Sequence, residues 1–345
     1  MVRIAIDLGH GYVKGLSDTG RTLLMPSVVG DGYEHRVVDT FGISQGRREY
    51  EVVVDGRRYF VGKLAVAESW NATRAFDESR VCHHFTAVLY GAATVLLAHD
   101  RPGALHVAAG LPFELYKTQK GELLQMLSTM RADVEVCGAG RRKVYFDRVT
   151  VVPQAVGAFY SAVLDERGRA SDLGQSLLRE GGLAAVVDCG YKTTDFLLVD
   201  LGSLDIIESG CGTVNMAMSD VVSAVQHRVQ EIVGDVVDVL QVEQAMERGK
   251  LWFRGREYRL GELCEESAEV LAEAVAERLR MTWKDRGKYL RVLFLAGGGA
   301  KVLEGALSRR QFPVQLLPDA QFANARGFLN LAARREAAAQ ATATA

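Results

Sequence analysis

Short apolar segments alternate with segments of helical periodicity along this chain. Continuous apolar runs predict buried strands, and apolar residues at spacings of three and four predict helices. In the first half, the pattern predicts strands at residues 2–7, 12–17, 50–54, 58–61, 105–110, 134–136 and 143–152, and helices at 79–99, 115–130 and 154–165. In the second half, it predicts strands at 183–188, 194–200, 204–209 and 292–295, and helices at 215–233, 239–248, 260–280 and 321–335. Strands and helices mixed in this way are typical of an α/β protein with helices packed on sheets.

The pattern restarts half-way along the chain. Residues 6–15 read IDLGHGYVKG, and residues 187–195 read VDCGYKTTD. Each segment is a strand that ends in Asp-x-Gly, followed by a glycine-containing or polar turn and a second strand. Asp188 lies 181 residues after Asp7, about half the chain length. We therefore expect two like halves whose hairpins face one another across a cleft.

The two turns have the composition that binding of a nucleotide polyphosphate requires. Glycine lets the backbone approach a ligand closely, so that successive N–H groups converge on phosphate oxygens. The predicted phosphate-binding residues are Gly9, Gly11 and Gly15 in the first turn and Gly190, Thr193 and Thr194 in the second. Lys14 is the predicted counter-charge, and Asp7 and Asp188 are the predicted Mg²⁺ carboxylates, directly or through water. Two ordinary glycine hairpins are the alternative, but the half-chain spacing and the triple glycine at 297–299 favour phosphate binding.

Composition and missing motifs argue against several other classes of protein. The 345 residues suffice for two domains, and a formal charge of −2 argues against extensive direct binding of nucleic acid. The sequence has neither a Walker A lysine motif nor a G-x-G-x-x-G turn after the first strand, which disfavours P-loop and Rossmann folds. Five dispersed cysteines without a CxxC pair favour a cytoplasmic protein over one with disulfides or structural zinc. No apolar run reaches the roughly 18 residues of a membrane span and the start is no signal peptide, so we expect no membrane contact.

The two hairpins resemble the phosphate-1 and phosphate-2 motifs of the actin, sugar-kinase and heat-shock-ATPase superfamily. Residues 295–300, which read LAGGGA, resemble its adenosine motif. In detail the chain is similar to bacterial and archaeal actin-like proteins of the ParM and Alp type, which are DNA-segregating filament ATPases. The supporting matches span residues 1 to 330 and are Met25-Pro26-Ser27, the segment YFVGK at 59–63, Gly110-Leu111-Pro112 and the segment FANARGF at 322–328. His10 and Tyr12 occupy positions of the first phosphate loop at which relatives have different residues.

The resemblance implies an actin-like fold of two duplicated domains with a nucleotide cleft between them. Domain I is expected at 1–153 together with 321–336, with an insertion near 30–80. Domain II is expected at 154–320, with an insertion near 225–285. Residues 337–345 contain only Ala, Gln and Thr, and we expect a flexible tail.

The resemblance also implies the ligands and the residues that bind them. ATP and Mg²⁺ are the expected cofactors, although the sequence does not distinguish ATP from GTP. The expected cofactor-binding residues are Asp7, Gly9, His10, Gly11, Tyr12, Lys14, Gly190, Lys192, Thr193, Thr194, Gly297, Gly298 and Gly299. Gln154 and Asp188 are the expected catalytic residues. Gln154 lies in the segment similar to the first interdomain connection, where actins place a water-orienting glutamine and many ParM-like proteins a glutamate. The alternative for Gln154 is a first helical residue without a chemical role.

Two functions are compatible with this resemblance. The first is a filament-forming ATPase that moves or segregates plasmid DNA through a DNA-binding adaptor, so its partners are further copies of itself and the adaptor. The second is a small-molecule kinase of the sugar-kinase type. Sugar kinases of this fold are usually longer, and Asp195, the carboxylate near the second turn, fits the phosphate-2 motif better than the role of a catalytic base. We therefore favour the filament.

Overall fold

The structure, a computed structural model, consists of two compact units. It describes residues 1–33, 50–74, 84–101 and 103–344, without the side chains of 342–344. The first unit is formed by Met1–Ser176 and Phe322–Ala345, and the second by Leu177–Gln321. Among the described residues, no helix is both long and apolar enough to cross a membrane.

The first unit contains most of the strands. Its elements up to the unit boundary are β1 (Val2–Leu8), β2 (Tyr12–Ser17), β3 (Thr22–Pro26), β4 (Val28–Asp31), β5 (Glu51–Val54), β6 (Arg57–Val61), α1 (Gly62–Glu68), β7 (Thr73–Arg74), α2 (His84–Ala98), β8 (Leu105–Leu111), α3 (Phe113–Thr129), β9 (Ala132–Val136), β10 (Gly140–Val144), β11 (Arg148–Pro153), α4 (Gln154–Val163) and α5 (Asp172–Glu180), which crosses the boundary.

The second unit follows, and the last helix returns to the first unit. The elements are β12 (Leu183–Cys189), β13 (Thr194–Asp200), β14 (Gly212–Val214), α6 (Met218–Val233), α7 (Val239–Arg248), β15 (Lys250–Phe253), β16 (Arg256–Arg259), α8 (Gly261–Trp283), β17 (Leu290–Ala296), α9 (Ala300–Arg309), β18 (Val314–Leu316) and α10 (Ala323–Thr344). Most of the predicted insertion at 225–285 is occupied by α7, the β15–β16 hairpin and α8.

One five-stranded sheet topology occurs in both units. The strand order is β3-β2-β1-β8-β11 in the first unit and β14-β13-β12-β17-β18 in the second. In both sheets, the central strand pairs antiparallel with the next strand of the chain and parallel with a later one. Both outer pairs also match, with β2–β3 and β13–β14 antiparallel and β8–β11 and β17–β18 parallel. The predicted duplication is therefore confirmed in the strand connections.

Successive residues of β1 pack against different helices on the two faces of the sheet. Ile4 and Ile6 belong to a core cluster with α2, whereas Ala5 between them packs with Phe328 of α10. Successive side chains of a strand point to opposite faces, so a fully buried strand must be covered on both sides. The first sheet is accordingly a layer with α2 on one face and α10 on the other.

Three glycines let α10 approach its neighbours closely. A Cβ on Gly110 would lie 2.2 Å from Phe328 Cζ, and one on Gly157 would lie 2.4 Å from Phe328 Cε1. A Cβ on Gly327 would lie 1.6 Å from the carbonyl oxygen of Gly157. Because α4 is packed on α10 in this way, it belongs to the first unit, and the units divide at residues 176 and 177 instead of the expected 153 and 154.

Some elements differ from the sequence-based expectation. The predicted strand at 204–209 is wrong, because this segment makes a single antiparallel bridge, between Ile206 and Val199, before a 3₁₀ turn at Glu208–Gly210 ends the pairing. The predicted strand at 143–152 is two strands, β10 and β11, in different sheets. The β15–β16 hairpin was missed, since its turn places Arg254 and Gly255 at positive φ, and Arg is not a typical residue there.

The described part of the expected tail at 337–345 is helical, and its flexibility stays a prediction. The last helix continues to Thr344. Alanine has the highest intrinsic helix propensity, and the segment is rich in alanine, so an established helix propagates through it. The predicted helix at 79–99 is confirmed from His84 to Ala98, and its first five residues lie outside the described residues.

Candidate functional site

The carboxylate of Asp7 lies buried near the end of β1 and binds two side chains of the same unit. Its side chain is 1% exposed. Lys14 Nζ donates to Oδ2 at 3.1 Å, and Gln154 Nε2 donates to Oδ1 at 2.7 Å. Lys14 stands opposite Asp7 on β2, and Gln154 is the first residue of α4. Three residues predicted for different roles, in metal, phosphate and water binding, therefore form one cluster.

A backbone hydrogen bond closes the first turn. The N–H of Gly9 donates to the carbonyl of Tyr12 at 3.1 Å. A Cβ on Gly9 would lie 2.8 Å from Lys14 Nζ and 3.0 Å from the Tyr12 oxygen, so a side chain there would displace the Lys14 ammonium and crowd the turn. Gly11 is buried, and His10 and Tyr12 beside it are half-buried. The predicted loop residues thus lie together around one turn.

Gly15 does not belong to this turn. It lies inside β2, where a Cβ would come within 2.7 Å of Leu97 Cδ1 on α2. Its lack of a side chain makes room for the helix that packs on the sheet. The prediction that Gly15 contributes to phosphate binding is therefore corrected to a packing role.

The second hairpin repeats the geometry of the first. The N–H of Gly190 donates to the carbonyl of Thr193 at 2.9 Å, as Gly9 does to Tyr12. Asp188 is 5% exposed and pairs across the hairpin with Asp195, in the register that joins Asp7 and Lys14. Asp195 accepts a hydrogen bond from the Thr213 hydroxyl. The two hairpins therefore match in backbone and in the strand-end aspartate, and differ in the charge opposite it.

Two predicted threonines of the second turn have different surroundings. Thr194 is fully buried, and its hydroxyl donates to the carbonyl of Met216 at 2.6 Å. That hydroxyl is engaged within the unit, whereas the predicted phosphate contact of Thr194 came from the backbone of the turn and stays a prediction. Thr193 is half-buried and Lys192 is exposed, which keeps both at the surface of the loop.

Helices α6 and α7 support the second turn. The carbonyls of Gly190 and Tyr191 accept the N–H groups of Met218 and Ser219, at 3.3 and 2.7 Å. These two amides belong to the first turn of α6, where backbone donors lack partners within the helix. The Tyr191 hydroxyl donates to Glu243 of α7. The loop is thus attached to two helices by its backbone and by one side chain.

The triple glycine serves mainly to pack against the end of β12. Gly297 has φ +86°, and a Cβ there would lie 2.2 Å from the Cys189 oxygen and 2.5 Å from Asp188 Oδ1. A Cβ on Gly299 would lie 2.5 Å from Cys189 Sγ. A Cβ on Gly298 would have Gln321 Nε2 as its nearest neighbour, at 3.9 Å. Of the three predicted glycines, Gly298 is the one with room for a ligand beside it.

Cys189 is a structural thiol. Burial raises the pKa of Cys189 to about 12, because the charged thiolate loses its hydration there. A thiol that stays protonated is a poor nucleophile. Its place next to Asp188 therefore reflects packing against Gly299.

The surroundings of Asp7 suit contact with a hydrated magnesium ion better than a metal cage made by the protein. Within the described part of the chain, no group of three or more His, Cys, Asp or Glu side chains could form a metal cage. Mg²⁺ typically uses one or two carboxylates and takes its other ligands from phosphates and water. Both oxygens of Asp7 already accept hydrogen bonds, so contact through water fits Asp7 better than direct coordination.

One residue that supports the first turn was not predicted as part of the site. Ser27, between β3 and β4, donates its hydroxyl to the Gly9 carbonyl at 2.6 Å and its N–H to the Gly11 carbonyl at 2.9 Å. The motif Met25-Pro26-Ser27 marked this position in the sequence. Its contact with the turn depends on the pairing of β3 with β2, which the sequence analysis did not predict.

Two family models match most of the chain. The model described as the N-terminal domain of actin-like proteins matches residues 5–157. The model described as the C-terminal part of the MreB-like archaeal actin homologue matches residues 186–309. Each match contains one of the two hairpins. The chain is an actin-like protein.

Relatives resemble this actin-like protein over almost its whole length. An archaeal actin homologue from Thermoplasma acidophilum is 22% identical over 344 residues, which are 97% of this chain and 99% of that protein. The structure of a 15-stranded ParM filament from Clostridium botulinum has a TM-score of 0.82 at 24% identity and covers 96% of this chain and 98% of its own. The crystal structure of an archaeal actin homologue in complex with ADP has a TM-score of 0.77 at 20% identity, covering 97% and 100%. These similarities confirm the predicted actin-like fold.

Proposed function

We propose that this actin-like protein is a nucleotide-dependent, filament-forming ATPase. The observation that carries the proposal is the matched pair of hairpins, each with a buried strand-end aspartate and the same Gly N–H bond across its turn. Two similar proteins support it, since one structure is a complex with ADP and another is a filament. Nucleotide binding and self-association are the two properties that we extend to this chain.

The proposed phosphate contacts come from both turns. Backbone amides of residues 10–12 and 191–193, together with Gly298, donate to phosphate oxygens, with the side chains of His10, Tyr12 and Lys192 beside them. Lys14 supplies a positive point charge, which Asp7 orients through their ion pair. Asp7 and Asp188 are the proposed Mg²⁺ carboxylates, and bound Mg²⁺ neutralises charge on the phosphates.

Gln154 is the proposed residue that orients the attacking water. A carboxylate only accepts hydrogen bonds, so the contact with Asp7 fixes which end of the Gln154 amide carries the nitrogen. The amide oxygen is then available as a neutral acceptor in a fixed orientation. Such an acceptor can hold a water in line for attack without acting as a strong base.

Assembly and cargo complete the proposal. A head-to-tail contact that does not close into a ring produces an open filament. To shift a conformational equilibrium from 1:99 to 99:1, the nucleotide must prefer one state by about 5.5 kcal/mol. Several charge-assisted hydrogen bonds to phosphate, at roughly 1.5–3 kcal/mol each, reach that value.

The net charge of −2 suits a cytoplasmic protein that carries plasmid DNA through an adaptor instead of binding it directly.

Phosphate release from ATP separates this proposal from the kinase alternative. We expect release by the purified protein with Mg²⁺ to need no added sugar. The rate per molecule should rise above a critical protein concentration, because assembly completes the hydrolytic state. Release measured against protein concentration, with and without a panel of sugars and polyols, checks both points. Release that appears only with an added hydroxyl substrate would favour the kinase.

A further inference from the structure

Ser27 is fully buried and makes two hydrogen bonds to one turn. Its side chain is 0% exposed. Its hydroxyl reaches the Gly9 carbonyl at 2.6 Å, and its own N–H reaches the Gly11 carbonyl at 2.9 Å. Two carbonyls of the first turn, those of Gly9 and Gly11, are therefore directed toward the same buried residue.

This arrangement determines where the amides of the turn point. In a planar trans peptide, the C=O and the N–H of the next residue point in opposite directions. The N–H groups of His10 and Tyr12 share peptide planes with the Gly9 and Gly11 carbonyls. They consequently point away from Ser27, and backbone N–H groups presented by a turn are the donors that anion-binding loops use.

The second turn shares one of these two supports, because the carbonyl of Gly190, the counterpart of Gly9, is also held by a hydrogen bond. There the carbonyls of Gly190 and Tyr191 are held by the N–H groups of Met218 and Ser219 at the start of α6. By the same peptide geometry, the N–H groups of Tyr191 and Lys192 point away from α6. Two unrelated elements thus fix the first peptide of each turn, Gly9–His10 in one and Gly190–Tyr191 in the other. The other held carbonyls, those of Gly11 and Tyr191, lie at different positions of their turns.

We infer that Ser27 is a positioning residue, which orients the amide donors of the first turn toward the nucleotide phosphates without touching them. Ser27 is followed directly by β4 of the six-stranded sheet, so it also ties the turn to that sheet. The inference rests on the proposed nucleotide-binding function and adds to it a residue with a defined role.

Ser27→Ala and a matched control, Ser17→Ala, test this role. Ser17 lies at the other end of β2, is 4% exposed, and pairs its hydroxyl with that of Thr19 at 2.8 Å and with the N–H of Arg21 at 3.1 Å. Both variants remove a hydroxyl from a buried serine of the first unit. Dissociation constants for ATP with Mg²⁺ and for adenosine, measured by calorimetry, are compared with the midpoint of thermal unfolding.

We expect Ser27→Ala to weaken ATP binding roughly tenfold, as the loss of one oriented hydrogen bond implies, and to leave adenosine binding unchanged. Ser17→Ala should lower the unfolding midpoint to a similar extent and bind ATP like the wild type. Ser27→Cys, which keeps a weak donor, should bind ATP with intermediate affinity, and it serves as the test if the alanine variant does not fold.

Two contrary results are distinguishable. In the first, the wild type binds ATP, and the Ser27 variants either bind it equally tightly or lose affinity for ATP and for adenosine to the same extent. Ser27 is then structural, and this inference alone is overturned. If the wild type binds no nucleotide, the proposed function is overturned together with the inference.

Discussion

Gly327→Ala is expected to destabilise the protein by about 3 kcal/mol, which is at the upper end for overpacking. The new Cβ would lie 1.6 Å from the Gly157 carbonyl oxygen and 2.5 Å from its carbonyl carbon. Backbone atoms cannot rotate away, so α10 must separate from α4 and lose its packing. The free energy of unfolding from denaturant titration measures the effect.

Gly121→Ala is the control for this substitution. Gly121 lies inside α3 of the same unit, and a Cβ there has no other atom within 4 Å. Alanine stabilises an exposed helix interior by about 1 kcal/mol relative to glycine, so this variant should be more stable than the wild type. Equal effects of the two substitutions would contradict the close packing of α4 and α10.

Lys14→Met should cost about 3 kcal/mol of stability, because it leaves the Asp7 carboxylate buried without its cation. Methionine retains most of the apolar stem, so the loss comes mainly from the charge. The double variant Asp7→Asn/Lys14→Met should recover part of the stability, since a neutral amide needs no counter-charge and can still accept from Gln154. A double-mutant cycle of unfolding free energies measures the coupling.

An exposed ion pair of the same length provides the comparison. Lys117 Nζ lies 3.1 Å from a Glu114 carboxylate oxygen, the same distance as between Lys14 and Asp7. The side chains of Lys117 and Glu114 are both about half exposed. Exposed pairs contribute little, so Lys117→Met should change stability by less than about 1 kcal/mol. If Lys14→Met is equally mild, Asp7 does not depend on Lys14 for its burial.

The repeated hairpin was predictable from sequence because its signal is local. A strand that ends in Asp-x-Gly and turns back gives the same short pattern wherever it occurs, and the 181-residue spacing of Asp7 and Asp188 showed the duplication. Register follows from the same pattern, since a short turn leaves few ways to pair its flanking strands. Gln154 was singled out from a resemblance, and the structure places it against Asp7.

The remaining site features depend on contacts between distant segments. Thr194 is engaged with Met216 only because β14 returns beside β13. Glycine permits close approach either of a ligand or of the protein's own backbone, and a sequence does not separate the two. Gly297, predicted as a ligand contact, lies against the carbonyl of Cys189, and this packing alone accounts for its glycine.

Sedimentation with and without nucleotide tests the central claim most directly. The account predicts that the protein stays in the supernatant without nucleotide. With ATP and Mg²⁺ it should pellet above a critical concentration and return to the supernatant as ADP accumulates. Pelleting that is the same with and without ATP would contradict nucleotide control. A supernatant that retains all protein at tens of micromolar with ATP, and micrographs that show only monomers, would contradict filament formation.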